Sequence, residues 1–140
     1  MSRVFWDTNL FIYLFEDTGA LGKRVRSLRE RMNERGDSLV TSTLTLGEVL
    51  VKPTEEGHVE LLRRYREAIL ASAHVVGFDA ECAEIFARLR SANRLRGPDA
   101  IQLACAARAG ADLFITNDAR LSNVTVAGVQ FVTSLERSPI

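Results

Sequence analysis

Four acidic residues of this chain have the types and spacing of a metal site. Asp7 directly follows the apolar run VFW, and Asp118 lies two residues after FIT. Asp99 stands in the first turn of a helix opened by Gly-Pro, and Glu48 lies in the segment after VTS. Carboxylates packed within a few ångströms raise one another's pKa values unless cations neutralise them. Because Mg²⁺ and Mn²⁺ prefer oxygen ligands, the four acids are candidate ligands for one or two such ions.

A divalent ion at such a cluster would allow hydrolysis without a histidine base. The ion keeps several waters, which leaves room for a phosphate oxygen and for a nucleophilic water. It then activates that water and stabilises the leaving oxygen. The two histidines, His58 and His74, lie away from the four acids in the predicted elements, and we expect them to be structural or solvated.

Each acid also has an ordinary structural explanation. Asp7 can cap a helix, Asp99 can complement a helix dipole, and Asp118 can serve a turn. Glu48 has the spacing of a capping box with Thr45. The metal interpretation is favoured by the four acids together, because all of them fall at the same end of the predicted sheet.

Short β-branched and apolar runs alternate with helix-length amphipathic segments, which is typical of an α/β domain. The predicted strands cover residues 3–6, 38–42, 74–78, 112–116 and 129–133. The connections are long enough to be helical crossovers, so the five-stranded sheet is expected to be mostly parallel. In such sheets ligands bind beyond the carboxyl ends of the strands, where the four acids are expected to meet.

Glycines and prolines mark the predicted helix ends. Gly36 and Gly110 are placed to end two helices, and Pro98 suits the first turn of another. Pro53 is expected to close the helix that contains Glu48.

Length and composition are those of an ordinary globular domain. The 140 residues fit one domain, residues 1–140, and 18 basic residues balance 18 acidic ones. The apolar stretches are too short to span a bilayer, and the first residues do not resemble a signal peptide. The expected location is therefore the cytoplasm, and the reduced thiols of Cys82 and Cys105 are expected in the core.

Four segments together resemble the PIN domain family, and most closely its VapC-type toxins of bacterial toxin–antitoxin pairs. The segments are VFWDTNLFIY, TSTLTLGEVL, GPDAIQLACAARAG and FITNDARL, which follow one another in the family's order over almost the whole chain. The resemblance implies a Rossmann-like three-layer fold and a ribonuclease that depends on Mg²⁺ or Mn²⁺. It further implies an RNA substrate, a homodimer and a small cognate antitoxin.

The resemblance also assigns roles to individual residues. Asp7, Glu48, Asp99 and Asp118 match the family's acidic quartet, with Asp7 and Asp99 as the firmest ligands and Asp118 the most variable. A supporting polar shell is formed by Thr8, Asn9, Ser42, Thr116 and Asn117.

Two sets of residues are candidates for contact with other molecules. Arg94 and Arg96 precede the Asp99 helix, where they would either contact an RNA phosphate or lie solvated. Apolar residues of the first helix would either meet a partner protein or fill the core; they are Phe11, Tyr13, Leu14 and Phe15.

Two other functions compete with the nuclease. A phosphatase or phosphotransfer domain would use Asp7 as nucleophile, but DTN lacks the second aspartate of a DxD motif, and no lysine follows a late strand. A catalytically silent RNA- or protein-binding module of the same fold would keep the acids for structural reasons. Walker, GxSxG, HExxH and GxGxxG motifs are missing from the chain.

Overall fold

The computed structural model describes residues 1–122 and 124–140. Within these residues the chain forms five strands and six α-helices. The strands are β1 (Arg3–Trp6), β2 (Ser38–Ser42), β3 (His74–Val76), β4 (Leu113–Thr116) and β5 (Phe131–Ser134). The α-helices are α1 (Thr8–Glu16), α2 (Ala20–Arg35), α3 (Thr43–Glu55), α4 (Val59–Ser72), α5 (Ala80–Ala92) and α6 (Gly97–Arg108). A short 3₁₀ helix covers Ala119–Leu121.

All strand pairs are parallel, and their order in the sheet is β3-β2-β1-β4-β5. The chain builds outward from β1 on one side and then crosses to β4 on the other side. This reversal lies beside β1, and a crevice opens at the carboxyl ends of strands at such a switch point. The predicted α/β fold with a parallel five-stranded sheet is confirmed.

Side chains alternate between the two faces of the sheet and build two cores. On one face Val4, Trp6 and Ile115 pack with buried residues of α1 to α4. On the other face Phe5 and Phe114 stack with their ring centroids 5.0 Å apart, under α5 and α6. The sheet is therefore covered on both faces, as parallel sheets usually are. No helix within the described residues is long and apolar enough to cross a membrane.

Local signals placed most element ends correctly. Gly36 ends α2 with a φ of 75°, and Gly110 follows α6 with a φ of 67°.

Cys82 and Cys105 are free and buried in the core, as expected. Phe11 is also a core residue at 1% exposure, while Tyr13, Leu14 and Phe15 are partly buried and pack against the core.

The predictions for α3 need two corrections. Ser42 is the N-cap, and its Oγ accepts a hydrogen bond from the Thr45 N–H, so Thr45 and Glu48 do not form a capping box. Pro53 lies inside α3, which continues to Glu55. The helix tolerates Pro53 because proline removes a single N–H, and the N–H of Glu56 still donates to the Lys52 carbonyl at 3.1 Å.

Gly22 allows α2 to approach the chain that leaves α1. A Cβ at this position would lie 1.8 Å from the Asp17 carbonyl oxygen, whereas a Cβ at Gly47 of α3 would meet nothing within 4 Å. We expect Gly22→Ala to lower the free energy of unfolding by about 1–3 kcal/mol through overpacking. Gly47→Ala should instead raise it by about 0.5–1 kcal/mol because alanine favours helix. Urea denaturation of both variants measures this difference, and equal effects of the two would contradict the close approach.

Candidate active site

The four predicted acids line one cleft of about 200 Å³ beside β1 and β4. The same cleft is lined by Thr8, Asn9, Ile12, Arg96, Pro98 and Gln102. Asp7 and Asp99 are each only 9% exposed, so the floor of the cleft is a desolvated anionic surface.

The acids reach the cleft from four separate elements. Asp7 follows β1 directly and is the N-cap of α1, and Asp118 caps the 3₁₀ helix after β4. Asp99 lies in the first turn of α6, and Glu48 lies in the second turn of α3. The structural roles that the sequence allowed for Asp7 and Asp118 are therefore real, and they coexist with a place in the cleft.

The Asp7 carboxylate is held by neutral hydrogen-bond donors. Its Oδ1 accepts from the Thr8 N–H at 2.8 Å and from the Gln102 Nε2 at 3.2 Å, and its Oδ2 accepts from the Thr116 hydroxyl at 2.7 Å. These bonds favour the anion, but burial outweighs them and raises the pKa of Asp7, with a smaller contribution from the negative charge of Asp99. A cation placed between Asp7 and Asp99 would favour both anions and so lower the pKa of Asp7.

Asp99 and Asp118 are paired with arginines of their own chain. Arg96 Nε lies 3.1 Å from Asp99 Oδ2, and the Arg120 guanidinium binds both oxygens of Asp118. The hydrogen bonds from Arg120 lower the pKa of Asp118. The side chains of Arg96 and Arg120 are 60% and 58% exposed, so little packing holds them in these positions.

The donor set fits a divalent cation, although the side chains do not yet form a ligand cluster. In the described part of the chain, no three Asp, Glu, His or Cys residues lie close enough to hold one ion. The reason is that Asp99 and Asp118 turn toward arginines, while Glu48 Oε1 accepts from the Thr8 hydroxyl at 2.6 Å. Four carboxylates on one small cleft nevertheless offer the oxygen ligands that Mg²⁺ and Mn²⁺ prefer. The assignment of the acids as metal ligands stays a prediction.

The polar residues predicted around the acids fall into two groups. Thr8 and Thr116 donate directly to carboxylates of the cleft. Asn9 bonds to the Thr116 hydroxyl at 3.4 Å and to the Asn117 N–H at 3.3 Å, so it contacts no acid directly. Asn117 donates to the Tyr13 hydroxyl at 3.0 Å. Ser42 does not line the cleft, and its hydroxyl donates to the side chain of Gln102, which does.

Of the two arginines predicted to contact RNA, only Arg96 lines the cleft. Arg94 is exposed and lies two residues before it in the segment that leads to α6.

Sequence reasoning missed Gln102 and Arg120. Gln102 is 2% exposed and lies one turn after Asp99, as a lone polar residue within the apolar part of α6. A polar side chain on the helix face that also carries Asp99 was the available signal. Arg120 follows Asp118 by two residues, and a cation this close to a predicted metal ligand was a second signal.

Comparison with known proteins agrees with this geometry. The PIN domain family model matches residues 4–127, which is most of the chain. The chain therefore belongs to the PIN domain family. No curated protein matches it significantly.

Several solved structures have the same fold. A toxin–antitoxin complex from Klebsiella pneumoniae is 25% identical, covering 90% of this chain and 94% of that one, with a TM-score of 0.68. VapBC2 from Rickettsia felis, bound to a DNA fragment from its promoter, is 14% identical over 94% and 98% of the two chains, with a TM-score of 0.76. VapC20 from Mycobacterium tuberculosis, a Sarcin-Ricin loop cleaving toxin, is 17% identical over 90% and 98%, with a TM-score of 0.66. The chain thus has the fold of VapC toxins.

The raised pKa of Asp7 predicts a pH-dependent effect of Asp7→Asn on stability without metal. Above the pKa in the folded state, Asp7 is a buried anion and destabilises the fold relative to the unfolded chain, where the carboxylate is hydrated. Below both pKa values it is neutral in each state, and this cost disappears. In chelator, Asp7→Asn should therefore melt above the parent at pH 8, with a gain that shrinks as the pH falls toward 4. Thermal melts across this range measure it, and a gain that grows on acidification would contradict the burial argument.

Proposed function

We propose that this chain is a metal-dependent endoribonuclease and the toxin of a type II toxin–antitoxin pair. The observation that carries the proposal is the convergence of Asp7, Glu48, Asp99 and Asp118 on one cleft at the switch point of a PIN-domain sheet. In this proposal residues 1–140 form a single nuclease domain that hydrolyses RNA phosphodiester bonds.

The four acids have distinct parts in the proposed reaction. Asp7 and Asp99 are the main ligands for Mg²⁺ or Mn²⁺, Glu48 completes the set, and Asp118 binds directly or through water. A bound divalent ion would supply Lewis-acid stabilisation of a phosphate oxygen and activation of water. Thr116 and Thr8 keep the Asp7 and Glu48 carboxylates oriented toward the cleft through bonds of 2.7 and 2.6 Å.

Arg96, which lines the cleft, and Arg120, which is paired with Asp118, supply the contact with RNA in this proposal. Arg96 and Arg120 form ion pairs with Asp99 and Asp118. Both guanidiniums are already more than half exposed, and they would be released if these carboxylates bound a divalent ion instead. Each guanidinium then suits a phosphate oxygen, because its planar fork matches phosphate geometry. Arg94 is exposed in the segment before α6, where it would add a further positive charge to this RNA contact.

Support for the toxin assignment comes from the comparisons. Solved structures of this fold include complexes described as VapBC or toxin–antitoxin pairs, and one toxin described as cleaving the Sarcin-Ricin loop. By resemblance, we propose that this chain forms a homodimer and binds a cognate antitoxin protein. Ile12, 37% exposed at the lip of the cleft, offers an apolar contact for such a partner.

A catalytically silent binding module is the second candidate. The arginine pairs of Asp99 and Asp118 favour it, since they satisfy these carboxylates without any metal. The two candidates differ in one respect: only the nuclease needs a divalent ion to act on RNA.

RNA cleavage tests the proposed function directly. The parent should cut RNA with Mn²⁺ and stop on chelation, and Asp99→Asn should lose activity at least about 100-fold, the upper end of what loss of an outer-shell partner costs. Glu84→Gln, which removes the same charge from an exposed position on α5, is the matched control and should cut like the parent. Cleavage that persists in chelator would rule out the metal mechanism. A folded parent that never cuts RNA would rule out the nuclease and favour the binding module.

The salt dependence of RNA binding tests the role of Arg96. Replacing it by glutamine should weaken binding of single-stranded RNA and reduce the slope of log K against log salt by about 0.7, the value for one lost phosphate contact. The measurement is made with the Asp99→Asn background and Mn²⁺, so that RNA stays intact. Arg66→Gln, exposed on α4 and absent from the cleft lining, is the control. An unchanged slope for Arg96→Gln would show that Arg96 does not contact an RNA phosphate.

A further inference from the structure

We infer that Gln102 is a positioning residue that aligns the Asp7 and Glu48 carboxylates for metal binding. This inference rests on the proposed function, because it concerns the same cleft. It adds a residue that carries no charge and does not itself need to bind the ion.

Gln102 lies at the centre of a buried polar network. Its side chain is in α6, and the residue is 2% exposed. Its Nε2 lies 2.7 Å from the Thr45 Oγ1, 3.2 Å from the Thr8 Oγ1 and 3.2 Å from the Asp7 Oδ1. Its Oε1 accepts from the Ser42 hydroxyl. One amide therefore joins the start of α3 to the residues that follow β1.

Each group of this network has a fixed role as hydrogen-bond donor or acceptor. Because the Oε1 of Gln102 accepts from Ser42, its amide hydrogens point toward Thr45, Thr8 and Asp7. The Thr8 oxygen accepts from Gln102, and its single proton is left to donate to Glu48 Oε1 at 2.6 Å. Gln102 thus presents a donor to Asp7 directly and turns Thr8 into a donor for Glu48. Both carboxylates are held as hydrogen-bond acceptors, the form in which they bind a metal.

An apolar side chain of the same length would remove the bond from Ser42 and every contact of Nε2. The two Nε2 hydrogens are shared among three acceptor oxygens, those of Thr45, Thr8 and Asp7. Asp7 would keep only Thr8 and Thr116 as donors, and the Thr8 hydroxyl would be free to rotate away from Glu48 toward Thr45, 3.3 Å away. Carboxylates that are no longer aligned must be reordered when the ion binds, and this lowers affinity. A side chain that only filled space could be replaced by methionine without this loss.

Calorimetric titration of the full chain with Mn²⁺ tests the inference. The variants are Gln102→Met, which keeps length and removes hydrogen bonding, and Thr41→Val as control. Thr41 is also fully buried, and its hydroxyl donates to the Trp6 carbonyl at 2.9 Å without touching a carboxylate. We expect Gln102→Met to raise the Mn²⁺ dissociation constant about 10- to 100-fold, and Thr41→Val to leave it unchanged.

Thermal melts in chelator separate this role from simple packing. Both variants should lower the melting temperature, because each loses buried hydrogen bonds, but only Gln102→Met should lose Mn²⁺ affinity. If Gln102→Met does not fold, Thr8→Val removes the hydroxyl that accepts from Gln102 and donates to Glu48, and it should weaken Mn²⁺ binding in the same direction. Parental Mn²⁺ affinity in folded Gln102→Met, or failing that in Thr8→Val, would overturn the inference. A parent that binds no Mn²⁺ would overturn the proposed function instead.

Discussion

The Asp7 carboxylate is buried at the end of the central strand, and none of the described residues forms an ion pair with it. Burying an anion is unfavourable, and three neutral donors offset only part of that cost, so the pKa of Asp7 stays raised. The position follows from the fold, since β1 has β2 on one side and β4 on the other and the crevice opens beside it. The polar residues around this strand end are arranged to hold one negative charge.

The other acids of the cleft are balanced differently. Asp99 and Asp118 are neutralised by the nearby Arg96 and Arg120, whose side chains are exposed and easily displaced. Two arginines thus balance two of the four carboxylates of the cleft, and in the proposed function the same arginines would become available to an RNA phosphate if a divalent ion took their place.

The fold could be predicted from the sequence because its signals are local. Alternation of β-branched runs with amphipathic segments gave the strands, and the position of each acid after a strand or at a helix start placed it at one edge. The α3 start was misassigned because Ser42 and Thr45 are both good caps, and only the backbone distinguishes them. Gln102 was missed because its place beside Asp99 on one face of α6 could signal a site residue but not its partners, which come from β2, α1 and α3.

Anomalous diffraction from crystals of the parent grown with Mn²⁺ tests the central claim most directly. The account predicts a manganese peak in the cleft within ligand distance, about 2.0–2.2 Å, of oxygens from both Asp7 and Asp99, with Arg96 turned away from Asp99. Crystals that contain Mn²⁺ but show no peak between these two carboxylates, with Arg96 still paired to Asp99, would contradict it.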